Sequence, residues 1–178
     1  PLSASTADVL RLLAALGNEG AFVFRSPDCG WTWDRSPFPV GQGHDHPTMA
    51  VDAGEGPRAG SVYWASGAPT RNPEGHRRWA AYVARSDDGG QSFPHSNHVV
   101  VSNLNYEAQT PVVLSDSTLL VPIADHGTQD GRRIEFGARR AWLVRSRDGG
   151  RTFTEPLFIS DQCDGRGGWP NMAAAPDD

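Results

Sequence analysis

Asp28, Asp88 and Asp148 recur at an interval of 60 residues, and evenly spaced carboxylates invite a metal-binding or catalytic reading. Their surroundings argue for a structural one. Each lies in the same frame: arginine, serine, any residue, aspartate, any residue, glycine, any residue, threonine or serine, aromatic. The copies run from Arg25 to Trp33, Arg85 to Phe93 and Arg145 to Phe153. The aspartate accepts bonds from the N–H groups of its own turn, and Gly30, Gly90 and Gly150 supply a positive φ. The hydroxyls of Ser26 and Thr32, Ser86 and Ser92, and Ser146 and Thr152 close further local bonds. Trp33, Phe93 and Phe153 then drop into the core. A β-rich run leads into each copy (Phe22-Val23-Phe24, Tyr82-Val83-Ala84, Trp142-Leu143-Val144), so each is a strand-turn-strand hairpin.

Chemistry is sought instead in three polar clusters: Gly43-His44-Asp45-His46, Asn103-Leu104-Asn105-Tyr106-Glu107 and Asp164-Gly165-Arg166-Gly167-Gly168-Trp169. Loops after the second strand of each unit add Arg71, Glu74, His76, Arg77 and Arg78, then Asp125, His126, Arg132, Arg133 and Glu135. Guanidinium groups bind carboxylates bidentately. Plainer readings compete with functional ones: Asp45 caps a turn before Pro47, and Glu107 is a solvated loop carboxylate. Trp64, Trp79 and Trp142 fall at strand positions and read as core, while Trp169, at a loop end, is the one placed to stack on a ligand. His44, His46 and His126 have the composition of a metal site. Histidines two apart on a loop are usually unliganded, so no metal and no other cofactor is expected.

These loops need a scaffold, and self-similarity at a fixed period signals units that stack on copies of themselves. A second periodicity supports the first. A proline opens an apolar stretch 21 to 25 residues after the serine of each frame, at Pro47, Pro111 and Pro170, and proline is tolerated as the first residue of a strand. The second unit reads as strands at 47–52, 60–66, 78–85 and 97–102, and the third as 110–115, 118–124, 139–145 and 156–160. The organisation expected is the end of one unit at 1–40, full units at 41–102 and 103–160, and the start of another at 161–178. Residues 5–17 carry an N-cap candidate, helix formers and a closing glycine, which predicts a short helix inserted in a loop.

Composition limits the rest. The net charge of -5 gives no basic footprint for nucleic acid. All 16 basic residues are arginine, as a GC-rich genome would favour. No run reaches transmembrane length, so no membrane partner is expected, and residues 1–17 lack the features of a signal peptide. Cys29 and Cys163 are expected at opposite ends of their units, with no disulfide between them.

The repeated frame resembles the Asp-box, Ser-x-Asp-x-Gly-x-Thr-Trp, of the sialidase superfamily and related β-propellers, and the resemblance covers nearly the whole chain. It implies an all-β propeller of four-stranded antiparallel blades, six when complete, with about three present here. One blade of about 60 residues implies about 360 for that ring, so the chain is expected to belong to a longer protein, secreted or periplasmic. In that family the boxes lie on the face away from the active site. The resemblance implies an arginine triad on the sugar carboxylate, an aspartate acid/base, and a tyrosine nucleophile activated by a glutamate, which departs from the two-carboxylate glycosidase scheme.

His44-Asp45-His46-Pro47 is similar to the stretch where an Asp-Pro pair opens an inner strand in bacterial sialidases, which makes Asp45 the acid candidate. Tyr106-Glu107-Ala108-Gln109 is similar to the segment carrying the nucleophile's partner and gives Glu107 that role. His46, Tyr106, Arg71, Arg78, Asp125, His126, Arg132 and Trp169 are the expected substrate contacts. The family's Phe-Arg-Ile-Pro motif is absent, and Ala124-Asp125-His126 stands where an arginine often follows the second strand. An exo-acting sialidase-like hydrolase of terminal sugars is the expectation. A non-catalytic propeller that binds a glycan or protein is the alternative.

Overall fold

The computed structural model describes residues 13–15, 21–35, 38–41, 43–100, 104–130, 133–135, 140–161 and 172–173. Among them the chain is all-β, with no helix and three antiparallel sheets that do not close into a barrel. The first sheet holds β1 (Leu13–Ala15), β2 (Ala21–Val23) and β3 (Phe38–Gly41) in that order. The second is a plain meander of β4 (Asp45–Val51), β5 (Val62–Arg71), β6 (Arg77–Ser86) and β7 (His95–Val100). In the third, β8 (Leu104–Ala108) and β9 (Val112–Val113) both pair with β10 (Leu119–Asp130). β11 (Arg133–Glu135) folds back on the end of β10, and β12 (Arg140–Ser146) with β13 (Leu157–Ser160) completes the sheet.

The strands expected for the second and third units are found within a few residues, and two expectations need correcting. Leu13–Ala15, expected as helix, pairs with Ala21–Val23 as a strand. The β2 edge offers a ladder to these residues, and tertiary pairing overrides helix propensity. The remainder of the expected helix lies outside the described residues. Leu104–Ala108, expected as a loop, is a strand, because β10 runs on to Asp130 and provides an edge for it. At the other end, Met172 and Ala173 line a hollow with Val112, Leu114 and Leu120 but carry no strand assignment.

The sheets stack through the two-residue period of their strands. Val62, Trp64 and Ala84 of the second sheet pack with Ala21 and Val23 of the first, and Phe93 joins them. The alternate residues Tyr63, Ala65, Ala81 and Val83 pack with Ala108, Leu119, Val121 and Ile123 of the third. A strand covered on both faces loses its polar alternation, which is why Val62 to Ala68 is buried throughout. Tyr63 and Trp64 are fully buried neighbours on opposite faces, each contributing roughly 1.5–3 kcal/mol.

The three turns share one hydrogen-bond scheme. Ser26 Oγ accepts the Gly30 N–H at 2.6 Å and donates to Asp28 Oδ1 at 3.0 Å, while Asp28 accepts the Thr32 N–H and hydroxyl, each at 2.7 Å. Ser86, Asp88, Gly90 and Ser92 repeat it, as do Ser146, Asp148, Gly150 and Thr152. Burial opposes ionisation of Asp88 and Asp148, but the bonds from Ser92 and Thr152 outweigh it and hold both carboxyls at about 2. The glycine of each frame has positive φ, and so does the residue before it: Cys29 at 58°, Gly89 at 69° and Gly149 at 74°.

The closing aromatics seat on the preceding sheet. Phe93 reaches the first, with Phe38 at 5.8 Å, and Phe153 packs on the core between the second and third. Trp33, expected in the core, is 38% exposed instead, since among the described residues no sheet precedes the first to receive it. Arg85 locks neighbouring turns together. Its guanidinium donates to Gly149 O at 2.7 Å and pairs with both oxygens of Asp87 at 2.9 Å.

Candidate functional site

The register of β5 and β10 fixes two opposite ends of the stack. Val62 and Leu119 pair with Ser86 and Ser146, at the turn end. Five strand steps away, about 17 Å, Gly67 pairs with Asp45 and Ala124 with Glu107. Asp45 and Glu107 therefore share the end remote from the repeated turns.

A bulge brings Asp45 and His46 to one side. Between Thr48, opposite Ala65, and Asp45, opposite Gly67, β4 holds one residue more than β5. Without it, neighbours would point to opposite faces; a bulge re-aims one of them. His46 absorbs the distortion with φ at 46°, an uncommon conformation for a residue other than glycine. His46 Nδ1 then lies 3.1 Å from Asp45 Oδ1 and 2.9 Å from Glu107 Oε1, while the His46 N–H donates to Asp45 Oδ1 at 3.0 Å.

The two carboxylates differ in access. The Asp45 side chain is 57% exposed and that of Glu107 only 2%. Asp45 can reach a solute, while Glu107 is enclosed behind the imidazole. Asp45, His46 and Glu107 each present one ligand atom within 4.8 Å of the others, a set that could also hold a divalent cation.

Gly67 makes room for this arrangement. A Cβ there would collide with Trp79 Nε1 and lie 3.1 Å from Glu107 Cγ. The Trp79 backbone is held in turn by Asn105, whose Oδ1 accepts the Trp79 backbone N–H at 2.9 Å, beyond the β7 residues that extend the ladder. A glycine inside a strand marks close approach by a neighbour, a signal that could have pointed to Gly67 in advance. Asn105 stood out only as part of a polar cluster and Trp79 only as a core residue, and neither marked this contact.

The remaining expected contacts disperse. Tyr106 is 7% exposed within the core between the second and third sheets, because alternation along β8 turns it away from Glu107. Asp125 is fully buried. It accepts from Arg140 Nε at 3.0 Å and from the Gly127 N–H at 2.7 Å, and Arg140 is its cross-strand neighbour. Arg71 closes its hairpin on Gly75 O at 2.7 Å. Arg78 pairs with Thr70 and Arg71 with Arg77, so Arg71 and Arg78 belong to opposite faces and cannot grip one ligand together. His126 lies on β10, and Arg132 and Trp169 lie outside the described residues, as does Cys163; Cys29 is an exposed thiol.

His44 is separated from His46. Its Nδ1 meets Ser66 Oγ at 2.7 Å and its ring stands edge-on to Tyr82 and Trp64. Burial, helped by His98, pulls it down to about 4, so it is a neutral packing residue at neutral pH. Neither a scan against protein-family models nor a search of curated proteins finds a match for the chain.

Proposed function

We propose that the three sheets are consecutive blades of a sialidase-like β-propeller, and that the protein acts as a glycoside hydrolase on terminal sugars of glycans outside the cytoplasm. One observation carries this reading. The inner strands of two successive sheets, β4 and β8, bring an exposed Asp45 and a buried Glu107 onto one imidazole, at the end opposite the repeated turns. In this reading Asp45 is the general acid/base, and Glu107 with His46 holds it in place.

The dispersal of the polar groups favours a second reading. Arg71 and Arg78 belong to opposite faces, Tyr106 is core and Asp125 is tied to Arg140, so the described residues assemble no carboxylate clamp and no nucleophile. A non-catalytic propeller that binds a glycan or protein on the same face needs neither.

A fluorogenic sialoside separates the two readings. The 178-residue chain alone should show no turnover. In a longer protein that contains it, Asp45→Asn should lower turnover by roughly a hundredfold or more, the contribution of general acid/base catalysis. Full activity of Asp45→Asn and Glu107→Gln would reject the assigned roles. Glycan binding without cleavage would establish the second reading.

A further inference from the structure

His46 Nδ1 faces two carboxylates at once, Glu107 Oε1 at 2.9 Å and Asp45 Oδ1 at 3.1 Å. A ring nitrogen carries one proton at most, in the neutral imidazole and in the imidazolium alike. A single proton on Nδ1 is therefore shared between two oxygens, and the tautomer protonated on Nε2 turns a lone pair towards both negative groups. A divalent cation would accept from all three atoms together and balance the two carboxylate charges.

The spacing is that of a coordination shell. With metal–ligand bonds of about 2.0–2.2 Å, neighbouring ligand atoms stand about 2.8–3.6 Å apart. Both distances from Nδ1 fall in that range. One ligand atom from each of the three side chains lies within 4.8 Å of the others, a span that a small turn of the exposed Asp45 closes. Two neighbouring sheets build the set: the bulge of β4 presents Asp45 and His46, and β8 presents Glu107, which is enclosed where Gly67 makes room for it. The Asp45 and His46 side chains are 57% and 52% exposed, so one side of the set opens to solvent.

The geometry points to a site for a divalent transition ion of the zinc type, held by His46 Nδ1 and one oxygen each of Asp45 and Glu107. The solvent side is left for an oxygen ligand, a carboxylate or hydroxyl of a solute. Imidazole and carboxylate together suit zinc, and three protein ligands with one open side let it take an outside ligand. Calcium needs about six to eight oxygens, more than these side chains offer. His44, two residues away, takes no part, since it is turned onto Ser66 and Tyr82. With the cation bound Asp45 holds no proton, so loading would suppress any acid catalysis by Asp45. The site rests on this geometry and not on the hydrolase reading; metal binding and sialoside turnover are measured separately, and either can fail without the other.

Calorimetric titration of the purified chain with zinc chloride alone, in metal-free buffer at neutral pH, tests it. One zinc should bind per chain. Asp45→Asn, His46→Gln and Glu107→Gln should each weaken binding by about tenfold or more, since even a supporting group of a metal site is worth about 10–100-fold in affinity. His95→Gln, which removes the pairing of His95 with Asp87 at the turn end, should bind as the wild type does. Far-ultraviolet circular dichroism reports whether each variant folds, and if Glu107→Gln does not, the two exposed positions decide. Three results would overturn the proposal: no saturable binding up to millimolar zinc; unchanged affinity in folded Asp45→Asn and His46→Gln; or displacement of the zinc by an equal concentration of calcium.

Discussion

Two glycines at the same place in successive turns should respond differently to the same substitution. Gly89 and Gly149 have φ of 69° and 74°, and an L-residue in left-handed backbone costs about 1–2 kcal/mol. At Gly89 this is the whole cost, because an added Cβ meets nothing within 4 Å. At Gly149 the Cβ collides with Arg85 NH1 and lies 2.7 Å from Arg58 Cδ. Arg85 is buried and held by Asp87, so it cannot swing aside without giving up its bond to Gly149 O, and a hydrogen bond from a charged group is worth about 1.5–3 kcal/mol. Gly89→Ala should therefore destabilise by about 1–2 kcal/mol and Gly149→Ala by about 2.5–5 kcal/mol. Cys29, at 58°, shows that the position accepts a side chain where nothing crowds it. Urea midpoints of the two variants, with unchanged slopes, measure the difference. Equal losses would refute the role given to Arg85, and a loss at Gly149 that persists at full size in an Arg85→Ala background would place its cause in the backbone alone.

Other expectations follow from the same geometry. His44 is held at about 4 against an ordinary 6.5, so the unfolded chain binds its proton first as pH falls. The stability that His44 contributes is full above 6.5 and lost on the way down to about 4; urea midpoints should fall across that window in the wild type and much less in His44→Gln. Asp88 and Asp148 are held at about 2, so their contribution is present above about 4 and lost between there and about 2, a second acid step that Asp88→Asn should reduce. Gly67→Ala should displace Trp79 and crowd Glu107, shifting the tryptophan fluorescence and abolishing any glycan binding that depends on Asp45. An unshifted spectrum with intact binding would show that Gly67 is not the residue that makes room.

The turns were legible because everything they need is local. Ser26, Asp28, Gly30 and Thr32 lie within seven residues and satisfy one another, so residue type and spacing suffice to define them. The strands of the second and third units were legible for a related reason, since a proline-opened apolar run and a repeated turn bracket each meander. The candidate site was only partly so. Asp45 and Glu107 stood out by type, yet their meeting depends on a bulge at His46 and on the pairing of β8 with β10, and neither leaves a mark in residue composition. Alternation decided against Tyr106 and separated Arg71 from Arg78, and it acts only once register is known. Leu13–Ala15 shows the same limit: helix propensity belongs to the segment, whereas the strand it forms belongs to the edge of β2. Local hydrogen bonding can be read residue by residue, but pairing partners, faces and bulges are properties of contacts between distant segments, and these exist only in the folded chain.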